Sequence, residues 1–180
     1  MPYHKLRFRI QLNDIQPSIW RRFETPAELT FADLHLAIQG AMGWYNSHLH
    51  EFRIGDTAIG RKFDDPFMGE EETLDHEQVR VLDYLSQEGQ TAHYLYDFGD
   101  SWSHQLTLET IFEGKDDAYR VLEGEGACPP EDCGGYPGYM HLLEVLQDPQ
   151  HPDYESLSEW LAEVQQRPNF DPRFFSVSAA

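Results

Sequence analysis

Apolar and polar residues alternate from residue 3 to residue 12. Leu6, Phe8, Ile10 and Leu12 fall on one side, and Lys5, Arg7, Arg9 and Gln11 on the other. A period of two sends successive side chains to opposite faces, so this segment predicts a half-buried strand of an antiparallel-type sheet. Pro17 punctuates, and residues 19–23 (IWRRF) predict a second strand. Thr30 followed by Asp33 has the spacing of an N-cap with an acid at N3, and predicts a helix over 31–42 with Leu34, Ile38 and Met42 inward, ended by Gly43. Residues 48–54 (HLHEFRI) read as a strand, Gly55-Asp56 as a turn and 57–59 as a short return. The stretch 60–78 is acidic and irregular, with consecutive glutamates at 70–72. A short helix is expected over 79–85. Residues 91–97 and 103–111 alternate on either side of FGDSW, which predicts a hairpin. A further strand is expected at 119–122, then amphipathic helices at 139–146 and 154–164, parted by Pro149 and Pro152. The aromatic tail NFDPRFF is expected to pack back onto the body. The class is α+β. One domain over 1–180 is expected, a mainly antiparallel sheet of about five or six strands with helices packed on it.

Charge sharpens this picture. The chain of 180 residues has a net charge of −19. Residues 1–30 carry five Lys/Arg against three Asp/Glu, and the remainder eight against twenty-nine. Phosphate backbones are held by clustered cations, so such a body repels DNA and RNA, and a cationic partner or a metal ion suits it better. No apolar run approaches the roughly 18–20 residues of a membrane helix, and the N-terminus lacks an apolar signal core. A cytoplasmic protein is expected. Two cysteines in a reducing compartment read as thiols or metal ligands before a disulfide.

Those cysteines stand in the most constrained stretch, Cys128 to Tyr139, reading CPPEDCGGYPGY. Proline fixes φ and removes donors, and glycine admits conformations other residues avoid, so a rigid irregular loop is expected. Cys128 and Cys133 have the C-x4-C spacing of half a zinc site, and about four ligands are needed. His48 and His50 stand at i and i+2 of a predicted strand, where both imidazoles face one way. Together they form a candidate zinc-type ligand set, since thiolate with imidazole favours zinc. The alternative is two buried thiols in a rigid loop. Asp97, Asp100 and His104 bracket the hairpin turn and are candidates for acid–base catalysis, although aspartate is also what a turn backbone wants. Trp44, Tyr96, Trp102 and Tyr139 are candidate walls of an aromatic pocket, or plain core. Ser18 beside Arg21 and Arg22 matches the residue types of a serine recombinase, and equally any strand start. No P-loop, dinucleotide fingerprint, HExxH or GxSxG motif occurs.

The runs PSIWRR (17–22), LHLAIQGAMGWYNSHLHEF (34–52), YLYDFGDSWSH (94–104) and ACPPEDCGGYPGY (127–139) resemble the plasmid pRiA4b ORF-three-like family, in order over residues 3–175. Members are also labelled TnpR-like or passengers of insertion elements. The resemblance implies one α+β domain and a link to mobile elements in some relatives. The first functional reading is a noncatalytic binding module with a protein or peptide partner. The alternative is a metal-dependent, zinc-type hydrolase or nuclease-like enzyme, and a minor third is DNA recombination. A resolvase needs a basic DNA-reading helix pair, whereas the last forty residues hold two Arg and no Lys.

Overall fold

Strand β1 (Tyr3–Leu12) is the spine of the computed structural model, which describes residues 3–62 and 73–177. The glutamates at 70–72 lie outside the described residues. β1 pairs antiparallel with β2 (Trp20–Pro26) on one side and β7 (Trp102–Gly114) on the other. Its Leu6, Phe8, Ile10 and Leu12 side chains are fully buried, as the alternation requires. The sheet continues through β3 (His50–Ile54), β4 (Thr57–Gly60), β5 (Leu74–Asp75), β6 (Thr91–Tyr96) and β8 (Arg120–Glu125), in the order β5-β4-β3-β6-β7-β1-β2-β8. Among the described residues it therefore has eight strands rather than five or six, and it is mixed, because β5 runs parallel to β4. A two-residue strand is too short to leave a periodic signature, and its pairing is set by tertiary contact.

Helix α1 (Phe31–Met42) covers the sheet with Phe31, Leu34, Ile38 and Met42 buried. Its start is a reciprocal capping box. Thr30 Oγ1 accepts from the Asp33 amide at 3.2 Å, and Asp33 Oδ2 accepts from the Thr30 amide at 2.9 Å. It ends at Gly43 in the left-handed region, φ 97°. The helix expected over 79–85 is only a 3-10 turn, Val81–Asp83. Its backbone is already committed: the Val81 amide donates to Leu29 O, and Val79 O accepts from the Phe31 amide.

The second half of the cysteine stretch is helical. Helix α2 (Gly135–Gln147) starts at Gly135, not Tyr139, with Pro137 in its first turn. Proline is tolerated there because first-turn amides have no intrahelical acceptor. Helix α3 (Tyr154–Glu163) packs beside α2. The tail does fold back: the Ala127 amide donates to Pro172 O at 3.0 Å, and Phe170 meets the Tyr139 ring edge-on. Phe174 stays exposed.

The basic residues of the first two strands are spent within the fold. Arg7 bonds Glu24 at 2.7 Å, Arg22 is held by Glu109 and Glu123, and Lys5 is buried between Glu24 and Asp116. Arg9 lies over the Trp20 ring. Arg21 does not pair with the acidic body; it is buried and donates only to carbonyls.

Histidines occupy the core beneath α1. His35 stacks on His50 at 3.4 Å between centroids, and His50 Nε2 lies 3.0 Å from His76 Nδ1. His104 is fully buried on β7, with Nδ1 3.3 Å from Tyr94 O. Burial holds His35 and His104 neutral, each lowered to about 4.

Two expectations follow from this packing. Gly138 lies so close to the Cys133 carbonyl that an added Cβ would stand 1.8 Å from its oxygen. Gly138→Ala should therefore lose more than about 2 kcal/mol, although alanine ordinarily favours a helix. Gly40→Ala in α1 meets nothing within 4 Å and should gain about 0.5–1 kcal/mol. Urea denaturation of both variants measures the opposite signs. The second concerns pH. His35 and His104 have folded values near 4, below the unfolded value of 6.5, so the unfolded chain takes up protons first as pH falls. Their stabilisation is complete above about pH 6.5 and declines toward pH 4, by up to about 1.4 kcal/mol per pH unit for each. A His104→Gln variant whose stability falls as steeply as the parent's from pH 7 to 5 would contradict this.

Candidate functional site

Three carboxylates converge on one imidazole where the hairpin turn meets the cysteine loop. His48 lies in the segment entering β3, and its Nε2 stands 2.9 Å from Asp132 Oδ1, 3.5 Å from Asp97 Oδ2 and 3.8 Å from Glu131 Oε2. The short Asp132 approach lacks the alignment of a hydrogen bond, so the buried Nε2 has no hydrogen-bond partner. Glu131 Oε2 is in the same condition. A buried polar atom without a partner is costly, and two that face each other call for a third group.

Each inner carboxylate has one oxygen fixed by the fold and the other turned toward His48. Asp97 follows β6 with φ 55°, a left-handed conformation that aspartate tolerates. Its Oδ1 accepts from the Gly99 amide at 2.9 Å, which closes the turn and leaves Oδ2 to His48. Glu131 is 4% exposed. Its Oε1 accepts from the Tyr96 hydroxyl at 2.9 Å and from the Tyr45 amide at 2.8 Å. Burial, and then the Glu131 hydrogen bond, push the Tyr96 phenol well above its ordinary range, so it serves as a donor. Asp132 takes φ 57° and is 66% exposed, on the solvent side of the cluster.

The spacing suits a cation. Ligand atoms about 2.1 Å from one metal stand about 3.0–3.4 Å from each other. The three separations from His48 bracket that value. His48, Asp97 and Asp132 also offer ligand atoms all within 4.8 Å of one another. Glu131 Oε2 stands farther off, 3.8 Å from His48 Nε2 and outside that group of three, and the Tyr96, Tyr45 and Gly99 groups hold the Glu131 and Asp97 carboxylates in orientation as outer partners of metal ligands do.

The structure redistributes the residues singled out from sequence. His48 and Asp97 meet. His50 does not join them, because His48 precedes the strand and escapes its pleat, while His50 enters it and packs on His35 and His76. Cys128 and Cys133 are free thiols outside the cluster. Burial, then the nearby Asp100, push Cys133 up to about 12, and burial drives Cys128 higher still. The expected four-ligand set of two cysteines and two histidines is therefore not assembled. Asp100 turns the other way, where its Oδ2 accepts from the Gly134 amide at 3.1 Å and staples the turn to the start of α2. His104 lies in the core, so Asp97, Asp100 and His104 share no site. Trp44, Tyr96, Trp102 and Tyr139 do cluster, with Trp44 5.2 Å from Tyr96 and 5.7 Å from Trp102 between ring centroids, and Trp102 6.3 Å from Tyr139. All four are buried core beneath the loop rather than walls of an open pocket. In the sequence Glu131 and Asp132 stand out only as the two carboxylates of the cysteine loop. Their signal was an acidic pair in a rigid loop, which gives no hint of what it faces.

Among the described residues no helix is long and apolar enough to cross a membrane. The chain is 37% identical over 157 residues to the uncharacterized protein y4hQ of Sinorhizobium fredii, covering 86% of this chain and 79% of that protein. The crystal structure of protein of unknown function MM3350 from Methanosarcina mazei Go1 superposes with a TM-score of 0.84 at 34% identity, over 99% of this chain and 98% of that one. The plasmid pRiA4b ORF-3-like family matches residues 4–179, the span that holds the sheet, the cysteine loop and the whole His48 cluster. With the fold, two relatives and a family match over residues 4–179 in agreement, the chain belongs to the plasmid pRiA4b ORF-3-like protein family.

Proposed function

We propose that the protein binds a divalent cation through His48, Asp97, Glu131 and Asp132, and through it takes a donor group from a peptide or protein partner. One observation carries this reading: the buried Glu131 Oε2, without a hydrogen-bond partner, faces the equally unpartnered His48 Nε2. Imidazole with carboxylates suits zinc or manganese better than magnesium or calcium. The exposed Asp132 side leaves coordination positions open, unlike a closed structural site. Three carboxylates against a divalent cation leave the centre negative. Neutral or basic donors therefore suit it, in keeping with the acidic body, and phosphodiesters do not. The internal pairing of Lys5, Arg7 and Arg22 weighs in the same direction, against DNA. Hydrolysis of a neutral amide or ester is the second reading, favoured by the same open face.

Isothermal titration of chelator-treated protein should give one Zn²⁺ or Mn²⁺ per chain, with Mg²⁺ and Ca²⁺ at least about tenfold weaker. Asp132→Asn, at an exposed position, should weaken binding by about 10–100-fold. Glu131→Gln should do the same, yet leave the metal-free protein as stable as the parent or about 1 kcal/mol more so, because a neutral amide relieves the unpartnered carboxylate. Absence of stoichiometric binding, or full affinity in both variants, rejects the site. Turnover of a neutral peptide or ester by the metal-loaded protein, lost in Asp132→Asn, would favour hydrolysis over binding alone.

A further inference from the structure

The same loop borders a second site of opposite charge. A cavity of about 410 Å³ opens between the end of α1, Cys128 and the C-terminal segment. Two of its lining residues are Arg21 and Arg167, in a chain whose net charge is −19. Arg21 is 3% exposed. Its Nε donates to Ala41 O at 2.9 Å, and its Nη1 to Trp20 O at 2.8 Å and Glu125 O at 2.9 Å. Arg167 donates to Cys128 O at 2.7 Å and Gly43 O at 3.4 Å. Every acceptor is a neutral carbonyl, and among the described residues neither guanidinium has a carboxylate within ion-pair distance. A guanidinium has five donors, so both arginines keep donors to spare, including Arg21 Nη2.

Buried charge is tolerated when paired, and here two like charges share one cavity without a counter-ion from the chain. The Cys128 thiol does not supply it, because burial keeps it protonated. Asp171 also lines the cavity, at an exposed position, and its Oδ1 accepts from the Arg173 amide. The rest of the wall is largely apolar, with Met42, Phe170, Phe174 and Phe175. Arg21 lies over the Phe175 ring at 4.2 Å, and with Nε and Nη1 committed to carbonyls its Nη2 donors are the ones left for a ligand.

We propose that this cavity binds an organic monocarboxylate with an apolar body, its carboxylate gripped by Arg21 and Arg167. The planar Arg167 fork matches a carboxylate in two hydrogen bonds, Arg21 Nη2 adds a further donor, and the aromatic wall takes the hydrocarbon. The volume is that of a small-ligand pocket. A single negative charge suits it better than a phosphate dianion, because the acidic body repels the second charge. This site stands on different residues from the His48 cluster and does not depend on a metal.

The test uses the full chain stripped of metal with a chelator, so that a carboxylate has no cation to bind. Phenylpropionate is titrated by ligand-observed NMR and calorimetry beside its alcohol counterpart, phenylpropanol, and inorganic phosphate. Phenylpropionate should bind about tenfold or more tightly than the alcohol, since the head group adds charge-assisted hydrogen bonds. Arg167→Met and Arg167→Lys should each lose about tenfold, the second because an ammonium keeps the charge without the fork. Comparison with the alcohol needs no variant, so it decides the matter even where Arg167→Met folds poorly. Equal affinity for acid and alcohol, tighter binding of phosphate than of the acid, or no saturable binding of the acid in the millimolar range would each overturn the proposal.

Discussion

The carboxylate of Glu131 ties the irregular half of the molecule to its regular half. Through Oε1 it holds the Tyr96 hydroxyl at the end of β6 and the Tyr45 amide after α1. Its backbone carbonyl takes the Gln165 side-chain amide beyond α3. A buried charge is disfavoured unless hydrogen-bonded, so this one position dictates where three separate segments must lie. The sheet supplies a rigid Tyr96, and the loop is drawn down onto it. What the hydrogen bonds leave over, the Oε2 lone pairs facing His48, is the chemical feature that most distinguishes this surface.

The loop that carries Glu131 is held at both ends. Asp100 grips the Gly134 amide, and the backbones of Cys133 and Gly138 meet too closely for any side chain between them. At its start, Arg167 fixes the Cys128 carbonyl. The proline and glycine content therefore expresses close backbone packing, with the first turn of α2 as its continuation. Asp97 and Asp132 both adopt left-handed backbone, which costs a non-glycine residue of the order of 1 kcal/mol. Such conformations persist where surrounding contacts over-determine them, as they do around His48.

Charge is partitioned as sharply as shape. Lys5, Arg7 and Arg22 are paired with Glu24, Glu109 and Glu123, Arg9 lies over the Trp20 ring and Arg21 is buried, so the basic residues of β1 and β2 are largely spent within the fold. Arg21 and Arg167, which among the described residues have no carboxylate within ion-pair distance, line one cavity, and Asp97, Glu131 and Asp132 gather at His48.

The periodic elements were legible in the sequence because the side-chain period itself carries the information. Leu6 to Leu12 on one face of β1, the Thr30–Asp33 cap of α1 and the turn between β6 and β7 depend on neighbours in the chain. So did the family, since its motifs are local strings. Chain-local reasoning could not tell that β5 would add in parallel, or that in 79–85 the Val81 amide would donate to the Leu29 carbonyl and the Val79 carbonyl accept from the Phe31 amide instead of winding a helix. It paired the cysteines with His48 and His50 because thiolate and imidazole are the expected partners of zinc. The sequence by itself determined which segments are strands and helices and which stretch is rigid. Only the tertiary structure decided that Glu131 and Asp132, rather than Cys128 and Cys133, reach His48, because that choice rests on where Tyr96 and Tyr45 pull the loop, contacts separated by tens of residues in the chain.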